Sequence, residues 1–132
     1  MQINVTTDYA IRTVLYLAIK NSITPSSEIA SAMGIPKSYI LKITNKLHAA
    51  GIVERIVGAR GGFILARSSE KIKLYEIIKI MEPTMKINRC LEEDEYCSRF
   101  ATDNCPVRKF YNKLQSELES KLQEITVKVL LS

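Results

Sequence analysis

The chain has 132 residues, enough for one domain with a modest core or for a small domain carrying an oligomerisation element. Its 46% hydrophobic and 25% charged content is that of an ordinary globular protein, and no apolar run approaches the ~20 residues a bilayer span requires. The net charge of +5 is uneven: residues 1–70 hold eight Lys and Arg against four Asp and Glu, residues 71–132 eleven against ten. A cation excess concentrated in the first half suits a phosphate-binding surface.

The opening MQINVTTDYAIR has no basic region followed by an apolar signal core, so the expected location is the cytoplasm. A first helix is predicted from Thr6 or Thr7, either of which can cap it. Asp8 then sits in the first turn, where negative charge complements the helix dipole. Ile11, Val14, Leu15 and Ala18 form its predicted inner stripe. Polar NSITPSS ends it.

From Thr24 to Gly51 the pattern is two short helices joined by a tight turn. Ile29, Ala30 and Met33 share one face of the first, and Ile40, Ile43 and Leu47 one face of the second. Ser26 or Ser27 is placed to cap the first helix, Gly34 suits the turn, and Pro36 can open the second. This is a helix-turn-helix pattern, whose second helix would enter the DNA major groove. That helix presents Lys37, Ser38, Tyr39, Lys42, Asn45 and Lys46, side chains suited to phosphates and base edges. The bland alternative is a helical hairpin with a solvated basic face.

The residues after Gly51 favour DNA. Residues 52–57 (IVERIV) and 63–66 (FILA) read as two strands around the loop Gly58-Ala59-Arg60-Gly61-Gly62. A hairpin directly after a helix-turn-helix is a wing, and Arg60, beside Gly61 at its tip, can enter a minor groove. Alone, Arg60 reads more readily as a solvated turn residue; helix-turn-helix and wing together make DNA binding the favoured reading. Residues 73–82 form a short helix with Leu74, Ile77, Ile78 and Met81 inward, ended by Pro83. Thr84 to Cys105 has little periodicity, an acidic run at Glu92–Glu95, and all three cysteines. Pro106 to Leu131 reads as one long helix with Val107, Tyr111, Leu114, Leu118, Leu122, Ile125 and Val129 on one side. A second copy of the chain is the economical partner for that stripe, with packing back on the first helix as the alternative.

Three cysteines in a reducing compartment cannot make a full disulfide set, which directs attention to metal or redox chemistry. Cys90, Cys97 and Cys105 match no zinc spacing, and thiols that merely pack are common. Cys105 precedes Pro106 at a predicted helix start, where the dipole favours thiolate. The chain lacks a phosphate loop, a nucleophile–histidine arrangement or believable paired carboxylates, so no enzyme activity is expected.

The segments TTDYAIRTVLYLA, SYILKITNKLHAAGIVERIVGARGGFIL and KLYEIIKIMEP, the three-cysteine loop and the closing helix resemble the Rrf-two (Rrf2) family of winged-helix transcription regulators over nearly the whole chain. The resemblance implies a mainly α fold with a small β-hairpin wing, a winged helix-turn-helix with a long C-terminal dimerisation helix. It divides the chain into a DNA-binding head (1–83), a cysteine loop (84–105) and a dimerisation helix (106–132). It further implies a homodimer on a double-stranded, palindromic operator, with Ser26, Ser27, Lys37, Ser38, Tyr39, Lys42, Asn45, Lys46, Arg60 and Gly61 at the DNA. The cysteine trio resembles the cluster-binding branch (NsrR-, IscR- and RirA-like), implying an iron–sulfur cluster on Cys90, Cys97 and Cys105, the 4Fe–4S form preferred over 2Fe–2S. IscR-like members place a histidine shortly after the third cysteine; CPVRKFYN has none, and the one histidine, His48, lies on the recognition helix. NsrR-like members use an aspartate in the TDY segment from the other subunit, which here is Asp8, with Arg12 supporting the surroundings. The function implied is a repressor sensing nitric oxide, redox or iron status. The alternatives are a cluster-free repressor governed by thiol oxidation or a protein partner, and a zinc-stabilised loop.

Overall fold

A computed structural model describes residues 1–132. Its elements in order are α1 (Val5–Lys20), α2 (Ser26–Met33), α3 (Lys37–Ala49), β1 (Val53–Ile56), β2 (Gly62–Leu65), α4 (Leu74–Met81), α5 (Pro106–Glu124) and α6 (Val127–Leu130), with 3-10 turns at Ser69–Lys71, Arg89–Leu91 and Thr102–Asn104. This is the expected winged helix-turn-helix: mostly helical, with one antiparallel hairpin.

Helix α1 is the hub. It packs against α2, α3, α4, β2 and α6. Its buried residues are Thr7, Ala10, Thr13, Val14 and Leu17, so the inner face runs along 7-10-14-17 rather than along the predicted 11-14-15-18. Ile11, Leu15 and Ala18 border the core and are partly buried. Both readings are helical stripes through Val14; the partners on opposite sides of α1 decided which one is covered completely. The cap also differs. Asn4 caps the helix by accepting the Thr6 N–H at 2.8 Å, a few residues earlier than Thr6 or Thr7 would.

The α2–α3 pair follows the expected stripes, with Ile29, Ala30, Ile40, Ile43 and Leu47 buried. Gly34 takes the left-handed conformation (φ 65°) that ends α2, and its N–H closes on the Ala30 carbonyl. Neither Ser26 nor Ser27 caps α2; Pro25 holds that position without a side-chain bond. The reason lies in Thr24, whose backbone is taken by the wing: Thr24 N–H donates to the Phe63 carbonyl (2.9 Å) and Phe63 N–H to the Thr24 carbonyl (2.8 Å). The chain therefore turns into α2 at Pro25, leaving the serine hydroxyls free. Pro36 likewise stands one residue before α3, at its N-cap.

In the hairpin Val53 pairs with Leu65 and Ile56 with Gly62. Gly62 has a specific cause. A Cβ there would lie 2.3 Å from the Thr24 carbonyl oxygen, so only glycine allows the wing to bridge to the start of the helix-turn-helix. Helix α4 buries Ile77, Ile78 and Met81 and ends before extended Glu82, as a residue preceding Pro83 must be.

The C-terminal segment departs from expectation. Helix α5 stops at Glu124 instead of running to Leu131. Ile125 is extended and accepts the Leu74 N–H (2.9 Å), Thr126 bridges Lys73, and Val127 N–H donates to the Ile72 carbonyl (2.9 Å). Val127 is then fully buried in the core of the head, and α6 lies against α1. The apolar spacing continues across the break because Val127 and Ile125 have partners of their own; helical periodicity and strand-like pairing coincide there. Along α5, Val107, Leu114 and Leu118 remain 37–52% exposed, an apolar stripe without a cover in the single chain.

Replacing Gly62 by alanine drives a methyl group into backbone atoms. It is expected to cost about 1–3 kcal/mol, read as a lower urea midpoint with an unchanged m-value.

Candidate nucleic-acid interface and cysteine site

The expected reading surface lies on α3 and the wing. Lys37, Ser38, Tyr39, Lys42, Asn45 and Lys46 all face solvent on α3, and Ser27 is exposed at the start of α2 with Ser26 half-buried beside it. Arg60 is exposed at the wing tip, next to half-buried Gly61. Gly61 is needed for the turn itself, since a Cβ there would meet the Ile56 carbonyl oxygen at 2.3 Å. Two of the expected residues are already engaged. Asn45 Oδ1 accepts from Arg55 Nη2, and the Tyr39 ring meets the Tyr9 ring edge-on at 5.5 Å. Arg55, which no sequence pattern marks, joins this face by stacking over Phe63 across the hairpin (5.8 Å). Only the strand register, which sets Arg55 opposite Phe63, would have signalled it. His48 lies at the far end of α3, with its Nδ1 3.2 Å from the Val53 carbonyl oxygen.

Arg12 forms the junction between this surface and the start of α1. Its Nη2 pairs with Asp8 at 2.7 Å, its Nη1 donates to the Met33 carbonyl at 3.2 Å, and its guanidinium lies 5.3 Å from the Tyr9 ring. The pair is half-exposed, so its own contribution to stability is modest, within about 1 kcal/mol. Its importance is geometric: a single cation touches the first turn of α1, the end of α2 and, through Tyr9, Tyr39 of α3.

The three cysteines, seven and eight positions apart, come together. Cys90, Cys97 and Cys105 line one cavity of about 280 Å³ with Asn88, Arg108 and Tyr111. Each is half-buried and free. Each sulfur accepts a hydrogen bond: Cys90 from Asn88 Nδ2 (3.2 Å), Cys97 from the Ala101 N–H (3.5 Å), and Cys105 from the Arg108 N–H (3.4 Å). The last is an N-cap contact, since Cys105 caps α5 just before Pro106. The backbone N–H groups of Ala101 and Arg99 hold the Cys97 thiol below the usual thiol range, against the opposing effect of desolvation. Left-handed backbone at Glu95 (φ 48°) and Phe100 (φ 55°) shapes the loop. Its root is tied down by Gln115, the one buried residue of α5, whose side chain accepts the Ile87 N–H (2.8 Å) and donates to the Met85 carbonyl (3.0 Å). Asp8 is not among the residues lining this cavity. No three His, Cys, Asp or Glu side chains converge tightly enough for a single ion. All three cysteines line the same cavity, and three hydrogen-bond-accepting thiols on one cavity are a donor set that fits an iron–sulfur cluster.

Comparison with known proteins agrees with this architecture. Residues 3–132 match the Rrf2 family, described as "Iron-dependent Transcriptional regulator". An HTH-type transcriptional regulator of Aquifex aeolicus (strain VF5) is 31% identical over 128 residues, covering 96% of this chain and 89% of that one. The HTH-type transcriptional regulator NsrR of Shouchella clausii (strain KSM-K16) is 31% identical over 96 residues, 71% of this chain and 64% of its own length. Among solved structures, T. potens IscR superposes with a TM-score of 0.77 at 23% identity, covering 99% of this chain and 86% of that one. CymR (YrzC), the global cysteine regulator of B. subtilis, superposes with a TM-score of 0.79 at 23% identity, covering 98% and 95%. These two likenesses concern the fold.

The lowered Cys97 thiol makes a direct prediction for metal-free, reduced protein. Its alkylation by iodoacetamide, followed by mass spectrometry of the loop peptide, should reach half its maximal rate at a pH below that of an ordinary thiol. The chain belongs to the Rrf2 family of transcriptional regulators, a family of DNA-binding proteins and not of enzymes.

Proposed function

We propose that this chain is a homodimeric, DNA-binding repressor whose operator affinity depends on an iron–sulfur cluster held by Cys90, Cys97 and Cys105, with Asp8 of the opposite subunit as the fourth ligand. The observation that carries the reading is the convergence of three sequence-distant thiols on one cavity, each sulfur already accepting a hydrogen bond. When bound, such a cluster supplies an iron–sulfide core that nitric oxide, oxidants or iron depletion alters.

The remaining roles belong to the chain's own residues. Residues 1–83 carry the reading head, with Ser26, Ser27, Lys37, Lys42 and Lys46 on phosphates, Ser38, Tyr39 and Asn45 toward base edges, and Arg60 beside Gly61 in the minor groove. Residues 84–105 hold the sensing loop, and 106–132 supply the dimer contact through the uncovered stripe on α5. A two-fold dimer calls for a palindromic operator. Asp8 is exposed enough to be shared, and it is bonded to Arg12 in the isolated chain. Drawing Asp8 toward the partner's loop frees Arg12 from its carboxylate, and Arg12 also grips Met33 and Tyr9 beside the recognition helix. Coupling of this kind requires only that contacts differ between two states.

The test is protein purified without air. Visible absorbance with iron and sulfide bound is expected, together with a mobility shift on operator DNA that changes after nitric oxide treatment. Equal affinity before and after treatment would remove the sensing function. Asp8→Ala should keep the fold while making the bound iron labile about 10- to 100-fold. Lys42→Ala should weaken binding to all sequences alike and lower the salt slope by about one. A second reading, a cluster-free repressor governed by thiol oxidation, is favoured by the stabilised Cys97 thiolate. A colourless protein that binds DNA tightly only when reduced would select it.

A further inference from the structure

We infer that Arg108 is a positioning residue of the cysteine site, a fixed cation that closes the loop around its cavity by joining Cys90, Glu95 and Cys105. The inference rests on the proposed cluster site.

Arg108 follows Cys105 by three residues and lines the same cavity as all three cysteines. Its backbone N–H donates to Cys105 Sγ at 3.4 Å, its Nε to the Cys90 carbonyl at 3.1 Å, and its Nη2 to Glu95 Oε1 at 3.3 Å. One residue therefore joins the first cysteine, the middle of the loop and the last cysteine. Glu95 sits in the left-handed backbone region that disfavours a residue with a Cβ, and such a conformation persists only when its neighbours enforce it. Thr102 does so by donating its hydroxyl to the Glu95 carbonyl (3.0 Å), and Arg108 by pairing with the carboxylate.

A guanidinium stays charged at every physiological pH, so its donors are never lost to titration. Arg108 is the better placed of the two arginines at the cavity. Arg89 is 57% exposed and paired with Asp94 through both Nη atoms, while the Arg108 side chain is only 21% exposed. Its side-chain contacts use two of its five N–H donors.

The test compares wild type, Arg108→Gln and Arg108→Lys. In anaerobically reconstituted dimer, Arg108→Gln should lose iron to a chelator about tenfold faster. Its midpoint potential should be more negative than wild type, while Arg108→Lys, which keeps the charge without the planar fork, should stay near wild type. In metal-free protein, trypsin should cut after Arg99 several-fold faster in both variants, because neither can tie Cys90 to Glu95. Identical iron loss, potential and cleavage in all three proteins would overturn the proposal. A wild-type dimer that takes up no iron would instead overturn the cluster reading, leaving the cleavage rates to decide the clasp.

Discussion

The structure depends on the burial of one side of α1. Ala10, Val14 and Leu17 are completely enclosed, and the helices that cover them are those of the reading head, α4 and the terminal α6. Each of the larger aliphatic side chains contributes on the order of 1.5–3 kcal/mol when fully buried. No other element touches so many partners, so a shift of α1 is felt throughout the head. The same helix carries Asp8, Tyr9 and Arg12 on its less buried side. Core and polar junction thus share one helix.

Around that hub the contacts are arranged in series. Arg12 connects α1 to the end of α2, and Tyr9 connects it to Tyr39. The Asn4 N–H donates to Glu82 (2.6 Å), tying the start of α1 to the end of α4, two residues before the cysteine loop. Gln115 then fastens Met85 and Ile87 to α5. Loop, α5 and helix-turn-helix are consequently joined by named polar contacts at their roots, while the cysteine-bearing middle of the loop is held by hydrogen bonds within itself and to Arg108.

Much of this was legible in the residues. The helix-turn-helix and wing follow from apolar spacing at 29-30 and 40-43-47, from Gly34 and from the glycine-flanked Arg60, all of which act locally. Buried Ile40, Ile43 and Leu47 lie where the pattern puts them. The cysteine trio was visible as residue types, but not its convergence. Spacings of seven and eight mean nothing until Glu95 and Phe100 take left-handed backbone and fold the loop back on itself. Arg55 and Arg108 are hidden for the same reason, since an arginine in a strand or an early helical turn reads as an ordinary solvated cation.

Local pattern by itself determined the order of elements, the exposed cations of α3 and the fold class, because turns, caps and amphipathic stripes are settled within a few residues. Tertiary structure alone decided three things. It chose which stripe of α1 is fully covered, because partners pack on it from several sides. It ended α5 at Glu124, because strand-like pairing of Ile125, Thr126 and Val127 with Ile72, Lys73 and Leu74 wins over a helical period that would have exposed Val127. And it gathered Cys90, Cys97, Cys105 and Arg108 around one cavity, because hydrogen bonds between residues up to 18 positions apart close the loop, and no local preference encodes them.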